Sequence, residues 1–184
     1  KSIQITMAEN FGIEGRGAFY DGVGAIRDVL QNHLLQVLAL IAMEPPGEMS
    51  ASSMEMEKLK VFRAIKTLSK DNVVRGQYVG YLDEEGVKEH SNIETFAAAK
   101  VEVDSWRWAG VPFYIRTGKS LAETTLEVIV EFKQPPRMLF ADTQEASPNI
   151  LRFRLGKKDG VDIELMAKAP GDHLSTIPVH LNVE

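Results

Sequence analysis

Residues 23–43, VGAIRDVLQNHLLQVLALIAM, are the stretch that decides the fold. Their apolar side chains are too many for a helix that is solvated all round, so the pattern predicts a long helix with a buried face. Pro45 and Pro46, followed by Gly47, end this helix because proline cannot continue the hydrogen-bond ladder.

Four polar residues interrupt this apolar stretch, namely Asp28, Gln31, Asn32 and His33. A buried polar group costs free energy unless it is hydrogen-bonded, so these side chains either satisfy one another or line a cavity. His33 is therefore either a satisfied core residue or an acid or base at a cavity wall. At about 100° per residue of an α-helix, Asp28 and His33 do not lie on the same face.

The rest of the chain predicts one α+β domain over residues 1–184. A strand at 2–7 precedes a glycine-rich segment at 9–24, and an amphipathic helix at 54–68 follows the first helix. Further strands are predicted at 72–81, 95–103, 112–116, 125–132, 149–155, 161–167 and 178–183. Many strands after a helical start indicate a large, mostly antiparallel sheet with helices packed on one face.

Composition excludes several classes of protein. The net charge of −5 argues against binding to nucleic acid or to a membrane surface. The chain has no cysteine, which excludes disulfides and thiolate metal sites and favours a cytoplasmic protein. The other histidines, His90, His173 and His180, lack the spacing of metal ligands, so we predict no metal site.

Two short motifs suggest phosphate binding but are incomplete. The pairs Gly15/Gly17 and Gly22/Gly24 each lack the third glycine of a dinucleotide-binding loop. Lys119 follows a glycine as in a phosphate-binding loop, but the first glycine of that motif is missing. Lys119 is either a point charge that holds an anion or a solvated lysine in a turn.

Four stretches together resemble the glucose-6-phosphate dehydrogenase family, specifically its larger C-terminal domain that binds substrate and forms the dimer. They are ENFGIEGRG at 9–17 with FYD at 19–21, IRDVLQNHLLQ at 26–36, VRGQYVG at 74–80 and WAGVPFYIRTGK at 108–119. The resemblance runs in order along nearly the whole chain.

The resemblance implies oxidation of glucose 6-phosphate at C1 to a lactone with hydride transfer to NADP, the entry step of the oxidative pentose phosphate pathway. His33 matches the family's general base, a role typically worth about 10²–10⁴ in rate. Glu9 and Asp28 match its sugar-binding carboxylates, and Lys119 matches a substrate-binding lysine. The family also implies a homodimer or tetramer formed through the sheet.

Some features depart from the family pattern. Thr124 stands where some relatives place a second cation, and the residues around Leu155 and Gly156 do not match relatives that hold a structural NADP. The family's N-terminal Rossmann domain, which binds NADP, is not in this sequence. Both ends fall in predicted strands, so we expect a domain cut at both ends that has no dehydrogenase turnover alone.

Two alternatives to that function stay open from the sequence. One is a non-catalytic dimerisation module built on the sheet. The other is a related hexose-6-phosphate dehydrogenase with a different cofactor preference, since NADP or NAD preference is set mainly outside this chain.

Overall fold

The computed structural model describes residues 1–134, 147–156, 159–172 and 175–183. Its strands are β1 Ser2–Ala8, β2 Val73–Gly76, β3 Phe96–Glu102, β4 Pro112–Gly118, β5 Thr125–Glu131, β6 Ile150–Arg154, β7 Gly160–Lys168 and β8 Thr176–Val183. They form one sheet in the order β2-β3-β4-β1-β5-β6-β7-β8. The predicted large sheet is therefore confirmed.

One strand pairing determines where the candidate site lies. β1 runs parallel to β4, with Ala8 opposite Gly118, whereas the other described pairings are antiparallel. Because parallel strands end at the same edge, the residues that follow Ala8 and Gly118 emerge side by side.

The first helical region begins earlier than predicted and is not one α-helix. Helix α1 spans Gly17–Ala25, a π-helical segment spans Ile26–Leu34, α2 spans Leu35–Ala42 and α3 spans Ala51–Ala64. The glycine-rich segment at 9–24 thus contains most of α1. Gly24 interrupts the helix with φ 70° and ψ 173°, a conformation that side chains with a Cβ rarely adopt.

Helix α3 begins three residues before the predicted residue 54 and ends before the predicted residue 68. The Ser50 hydroxyl accepts a hydrogen bond of 3.2 Å from the Ser53 amide, which satisfies one of the free N–H groups at the helix start. After Ala64 the chain turns extended, and Ile65 forms an isolated bridge with Val103 at the edge of the sheet. Sheet contact therefore ends the helix.

The predicted strand at 72–81 is wrong in length. Only Val73–Gly76 pairs with β3, and the chain then leaves the sheet. Tyr78 and Tyr81 turn inward and stack edge to face, with ring centroids 5.6 Å apart. Packing of these aromatic rings outweighs continued strand pairing in this segment.

The core lies between the helices and one face of the sheet, as predicted. Alternate residues of the central strands meet the buried side of the helices, for example Ile5 and Phe113 against Leu34 and Leu38. The opposite face at this point is more polar, and there Arg116 donates a hydrogen bond of 2.9 Å to the Thr6 hydroxyl. The described helices therefore cover one face of the sheet and leave the other face free of helices.

Candidate active site

Glu9 and Lys119 meet at the common end of β1 and β4. Each residue directly follows its strand, and the Glu9 amide continues the ladder with a 3.0 Å hydrogen bond to the Gly118 carbonyl. The Lys119 Nζ lies 2.5 Å from Glu9 Oε2. The structure therefore brings together two residues that are 110 positions apart in sequence.

Lys119 is buried, with only 5% of its surface exposed. Its Nζ lies 5.3 Å from the centre of the Phe11 ring and 5.5 Å from that of Tyr20. Ring faces attract a cation, and Glu9 supplies the opposite charge. The solvated turn lysine considered from sequence is thus excluded for this position.

Tyr20 packs against the Lys119 ammonium and lies within the electrostatic influence of the Asp28 carboxylate. The Tyr20 hydroxyl is buried and has no hydrogen-bond partner among the described residues. Burial, followed by the negative charges of Asp28 and Glu94, raises the pKa of the Tyr20 phenol. Asp28 therefore lies within electrostatic range of the same cluster as Glu9 and Lys119.

The π-helical segment changes the relation between Asp28 and His33 that was expected from sequence. In an α-helix, residues five apart differ by about 140° around the axis. A π-helix has hydrogen bonds between residues five apart, as seen where the Leu35 amide donates to the Leu30 carbonyl. The wider turn rotates His33 back toward the side that carries Asp28.

His33 is exposed, as are its neighbours Gln31 and Asn32, while Asp28 is half-buried. The buried side of the π-helical segment consists of Val29, Leu30 and Leu34. The expectation that the polar residues are buried is therefore wrong for three of the four, because the segment has a solvent-facing polar side. The interpretation of His33 as a satisfied core residue is wrong for the same reason.

His33 does not touch the ion pair. In the described part of the chain, no hydrogen bond or ion pair joins His33 to Glu9, Asp28 or Lys119. The π-helical segment packs against both β1 and β4, the strands that carry Glu9 and Lys119. The four candidate residues thus lie on or next to three neighbouring elements. Of the four side chains, only those of Glu9 and Lys119 are shown in direct contact.

Thr124 lies close to Glu9 because it is hydrogen-bonded to the next residue, Asn10. Its hydroxyl donates a 2.7 Å hydrogen bond to the Asn10 side-chain oxygen and accepts one of 3.0 Å from the Asn10 amide. Thr124 therefore fixes the backbone next to Glu9.

A cavity of about 500 Å³ adjoins the ion pair on one side. Its lining consists of Gly76, Gln77, Tyr78, Val79, Phe96, Lys119, Ser120 and Leu121. Lys119 is the one candidate residue in this lining. The cavity therefore reaches the buried end of the cluster but not His33.

Two glycines near the site, Gly17 and Gly24, are required by close packing within the protein. A Cβ on Gly17 would lie 2.1 Å from the Glu85 carbonyl oxygen, and one on Gly24 would lie 2.6 Å from Glu94 Oε1. These backbones are already in contact with protein atoms. Gly17 and Gly24 are therefore taken up by packing within the protein, whereas a Cβ on Gly15 or Gly22 would meet nothing within 4 Å.

The described residues contain no cluster of three or more histidine and acidic side chains arranged to hold a metal ion. His173 lies outside the described residues. No helix in the described ranges is long and apolar enough to cross a membrane.

The arrangement suits recognition of a polyhydroxylated anion. Carboxylates such as Glu9 and Asp28 accept hydrogen bonds from hydroxyl groups, and a buried ammonium such as Lys119 holds one carboxylate in a fixed place. A neutral imidazole such as that of His33 has one ring nitrogen that can accept a proton. Sequence reasoning gave no role to Tyr20, although Tyr20 lies in the quoted FYD stretch, and no role to Glu94. Their part in the cluster follows only from their spatial neighbours.

Comparison with known proteins identifies the family. Residues 1–184 match the model of the glucose-6-phosphate dehydrogenase C-terminal domain. Glucose-6-phosphate 1-dehydrogenase of Dickeya dadantii is 47% identical over 187 residues, which cover 93% of this chain and 38% of that protein. Glucose-6-phosphate 1-dehydrogenase 1 of Mycobacterium tuberculosis is 48% identical over 166 residues, or 90% of this chain and 36% of that protein.

Solved structures agree with this assignment. The crystal structure of glucose-6-phosphate 1-dehydrogenase from Mycobacterium avium superimposes with a TM-score of 0.91 at 45% identity, covering 100% of this chain and 40% of that one. A glucose-6-phosphate dehydrogenase in complex with its substrate glucose-6-phosphate also has a TM-score of 0.91, at 38% identity, covering 99% and 39%. The chain spans less than half the length of these relatives. It belongs to the glucose-6-phosphate dehydrogenase family, within the C-terminal domain.

Proposed function

We propose that the protein containing this chain oxidises glucose 6-phosphate at C1 to 6-phosphogluconolactone and transfers the hydride to NADP. The Glu9–Lys119 ion pair beside the His33 helix supports this most directly, because the same fold at 38% identity belongs to an enzyme solved with glucose-6-phosphate. The proposed compartment is the cytoplasm, which the absence of cysteine favours.

Each candidate residue has a proposed role. His33 removes the C1 hydroxyl proton while the hydride leaves, because an alcohol gives up hydride readily only if its proton is also withdrawn. Glu9 and Asp28 accept hydrogen bonds from sugar hydroxyls. Lys119 anchors Glu9 and adds positive charge at the substrate. NADP accepts the hydride.

Substitution of His33 tests this function in the full-length protein. His33→Asn keeps a polar side chain of similar size but cannot act as the base, so turnover with glucose 6-phosphate and NADP falls by about 10²–10⁴. The KM for glucose 6-phosphate stays close to the wild-type value. Absorbance of the reduced nicotinamide measures both quantities.

His90→Asn is the matched control, because His90 is also exposed but lies outside the site. This variant is expected to keep wild-type turnover. Retained turnover in His33→Asn would refute the role of His33 as base. The same assay with NAD, or with other hexose 6-phosphates, tests the alternative of a related dehydrogenase with a different preference.

Self-association is the second proposed function, and it is compatible with the first. Apolar side chains are exposed on the last strand of the described sheet, at Ile177, Val179, Leu181 and Val183. Apolar residues at alternating positions of a strand cover one face, which favours pairing of that face with another copy. We therefore propose a homodimer or tetramer formed through this sheet.

A further inference from the structure

Glu94 lies at the junction between the two halves of the candidate site. It is buried, with 6% of its surface exposed, and it directly precedes Thr95 and strand β3. Its main-chain carbonyl accepts a 2.9 Å hydrogen bond from the Ala25 amide. Its Oε1 accepts a 3.0 Å hydrogen bond from the Ile26 amide. One residue therefore satisfies two successive amides at the start of the π-helical segment.

The backbone around Gly24 is adapted to this contact. Amides in the first turn of a helix have no partner within the helix, and an anion there is favoured by the helix dipole. A Cβ at residue 24 would lie 2.6 Å from Glu94 Oε1 and 3.0 Å from the Ile93 side chain. Glycine at this position thus lets the carboxylate approach the helix start.

The next residue along the chain holds the other half of the site. The carbonyl of Thr95 accepts a 3.0 Å hydrogen bond from the Lys119 amide, and Thr95 is fully buried. The Cα atoms of Glu94 and Thr95 are consecutive and so about 3.8 Å apart, which fixes the distance between the two sets of hydrogen bonds that these residues make. Residue 94 holds the segment that carries Asp28 and His33, and residue 95 holds Lys119.

We propose that Glu94 is a positioning residue, which sets the place of Asp28 and His33 relative to Glu9 and Lys119 through its hydrogen bond to the Ile26 amide. This inference rests on the proposed function. The distance from Asp28 and His33 to the Glu9–Lys119 ion pair matters only if one substrate contacts both groups. Misplacement of reacting groups by about 1 Å can cost about 100-fold in rate.

Substitutions of Glu94 in the full-length protein test the inference. Glu94→Ala removes the acceptor and is expected to lower kcat for glucose 6-phosphate by about 10- to 100-fold, with the KM for NADP unchanged. Glu94→Gln keeps an acceptor oxygen at the same place and is expected to restore most of kcat. Rescue by glutamine separates loss of the hydrogen bond from loss of the charge.

Arg75→Gln is the matched control. The Arg75 Nη1 lies 3.7 Å from Glu94 Oε2, but the Arg75 side chain is mostly exposed. Its loss removes the ion pair and leaves the bond to Ile26 intact, so wild-type kcat is expected. If Glu94→Ala does not fold, Glu94→Asp replaces it, because its shorter side chain withdraws the carboxylate from Ile26.

Hydrogen exchange of the amides at 25–34 provides a readout that does not depend on the reaction. These amides are expected to exchange faster in Glu94→Ala than in wild type, and at the wild-type rate in Glu94→Gln. Unchanged exchange and unchanged kcat in Glu94→Ala would overturn the inference, as would equal damage in the alanine and glutamine variants. If the wild-type protein does not oxidise glucose 6-phosphate, the proposed function fails, whereas the exchange result still decides whether Glu94 anchors the segment.

Discussion

Two buried tyrosines beside the site differ in one hydrogen bond. The rings of Tyr20 and Tyr81 pack edge to face with centroids 6.2 Å apart. The Tyr81 hydroxyl donates a 3.0 Å hydrogen bond to the Asp21 carboxylate, whereas the Tyr20 hydroxyl has no partner among the described residues. Removal of the two hydroxyls should therefore change stability in opposite directions.

Tyr20→Phe is expected to raise the free energy of unfolding by about 1 kcal/mol, because it removes a buried polar group that lacks a partner. Tyr81→Phe is expected to lower the free energy by about 1.5–3 kcal/mol, since a hydrogen bond to a charged carboxylate is lost. Urea unfolding of the two variants beside wild type measures both changes. Equal destabilisation of the two variants would show that the Tyr20 hydroxyl has a stabilising partner.

The sequence points to the candidate residues in two ways. His33 and Asp28 stood out because polar groups in an apolar helix require an explanation. The family resemblance alone implies a role for Glu9, while Lys119 is also indicated by an incomplete phosphate-binding motif. Their contact depends on the parallel pairing of β1 with β4. No local pattern predicts that two particular strands will be neighbours, so the ion pair could not be derived from residue spacing.

At the scale of elements, the helical region shows how tertiary contacts override local pattern. Apolar periodicity correctly indicated helix for residues 25–42, but not its division into a π-helical segment and α2. The break at Gly24 coincides with the approach of Glu94, which lies 68 positions from Ile26. A contact of such long range is invisible to any window of local sequence.

Two glycines of α1 allow a test of this interpretation. A Cβ on Gly17 would lie 2.1 Å from the Glu85 carbonyl oxygen, whereas a Cβ on Gly22 would meet nothing within 4 Å. Gly17→Ala is therefore expected to lower the free energy of unfolding by about 1–3 kcal/mol through overpacking against backbone. Thermal unfolding of the purified variant measures this loss.

Gly22→Ala is the matched control in the same helix. Alanine has less conformational freedom than glycine in the unfolded chain, so this variant is expected to gain about 0.5–1 kcal/mol. A stability loss in Gly17→Ala no larger than the change in Gly22→Ala would contradict close packing of α1 on the loop at 85–86.

At the scale of the whole molecule, the two ends of the sheet differ in how they are covered. The described helices pack on the central strands, while β7 and β8 keep exposed apolar residues such as Leu165 and Leu181. The opposite face of the same strands carries charged and polar groups, including the Arg154–Asp162 ion pair. Because only one of the two faces is apolar, two copies of the chain are expected to associate through that face.

Leu181→Lys is expected to weaken self-association of the full-length protein. A lysine on the apolar face of β8 would be desolvated in the contact, which raises the dimer Kd by about tenfold or more. Sedimentation equilibrium over a range of concentrations measures this change.

Asn182→Lys places the same charge on the opposite face, because Leu181 and Asn182 alternate along β8, opposite Ile163 and Asp162. This control is expected to keep the wild-type association state. Equal weakening by both substitutions, or by neither, would contradict association through the apolar face of β8.

The sequence by itself determined the class of fold, with a helical start followed by many strands, and it determined the family. The reason is that apolar periodicity and short motifs are local properties, which can be read from the order of the residues alone. The tertiary structure alone decided the neighbours: the parallel β1–β4 pair that brings Glu9 to Lys119, the anchoring of the π-helical segment by Glu94, and the exposure of His33. The physical reason is that such contacts join residues tens of positions apart, and their free energy depends on burial and on hydrogen-bond partners that exist only in the folded chain.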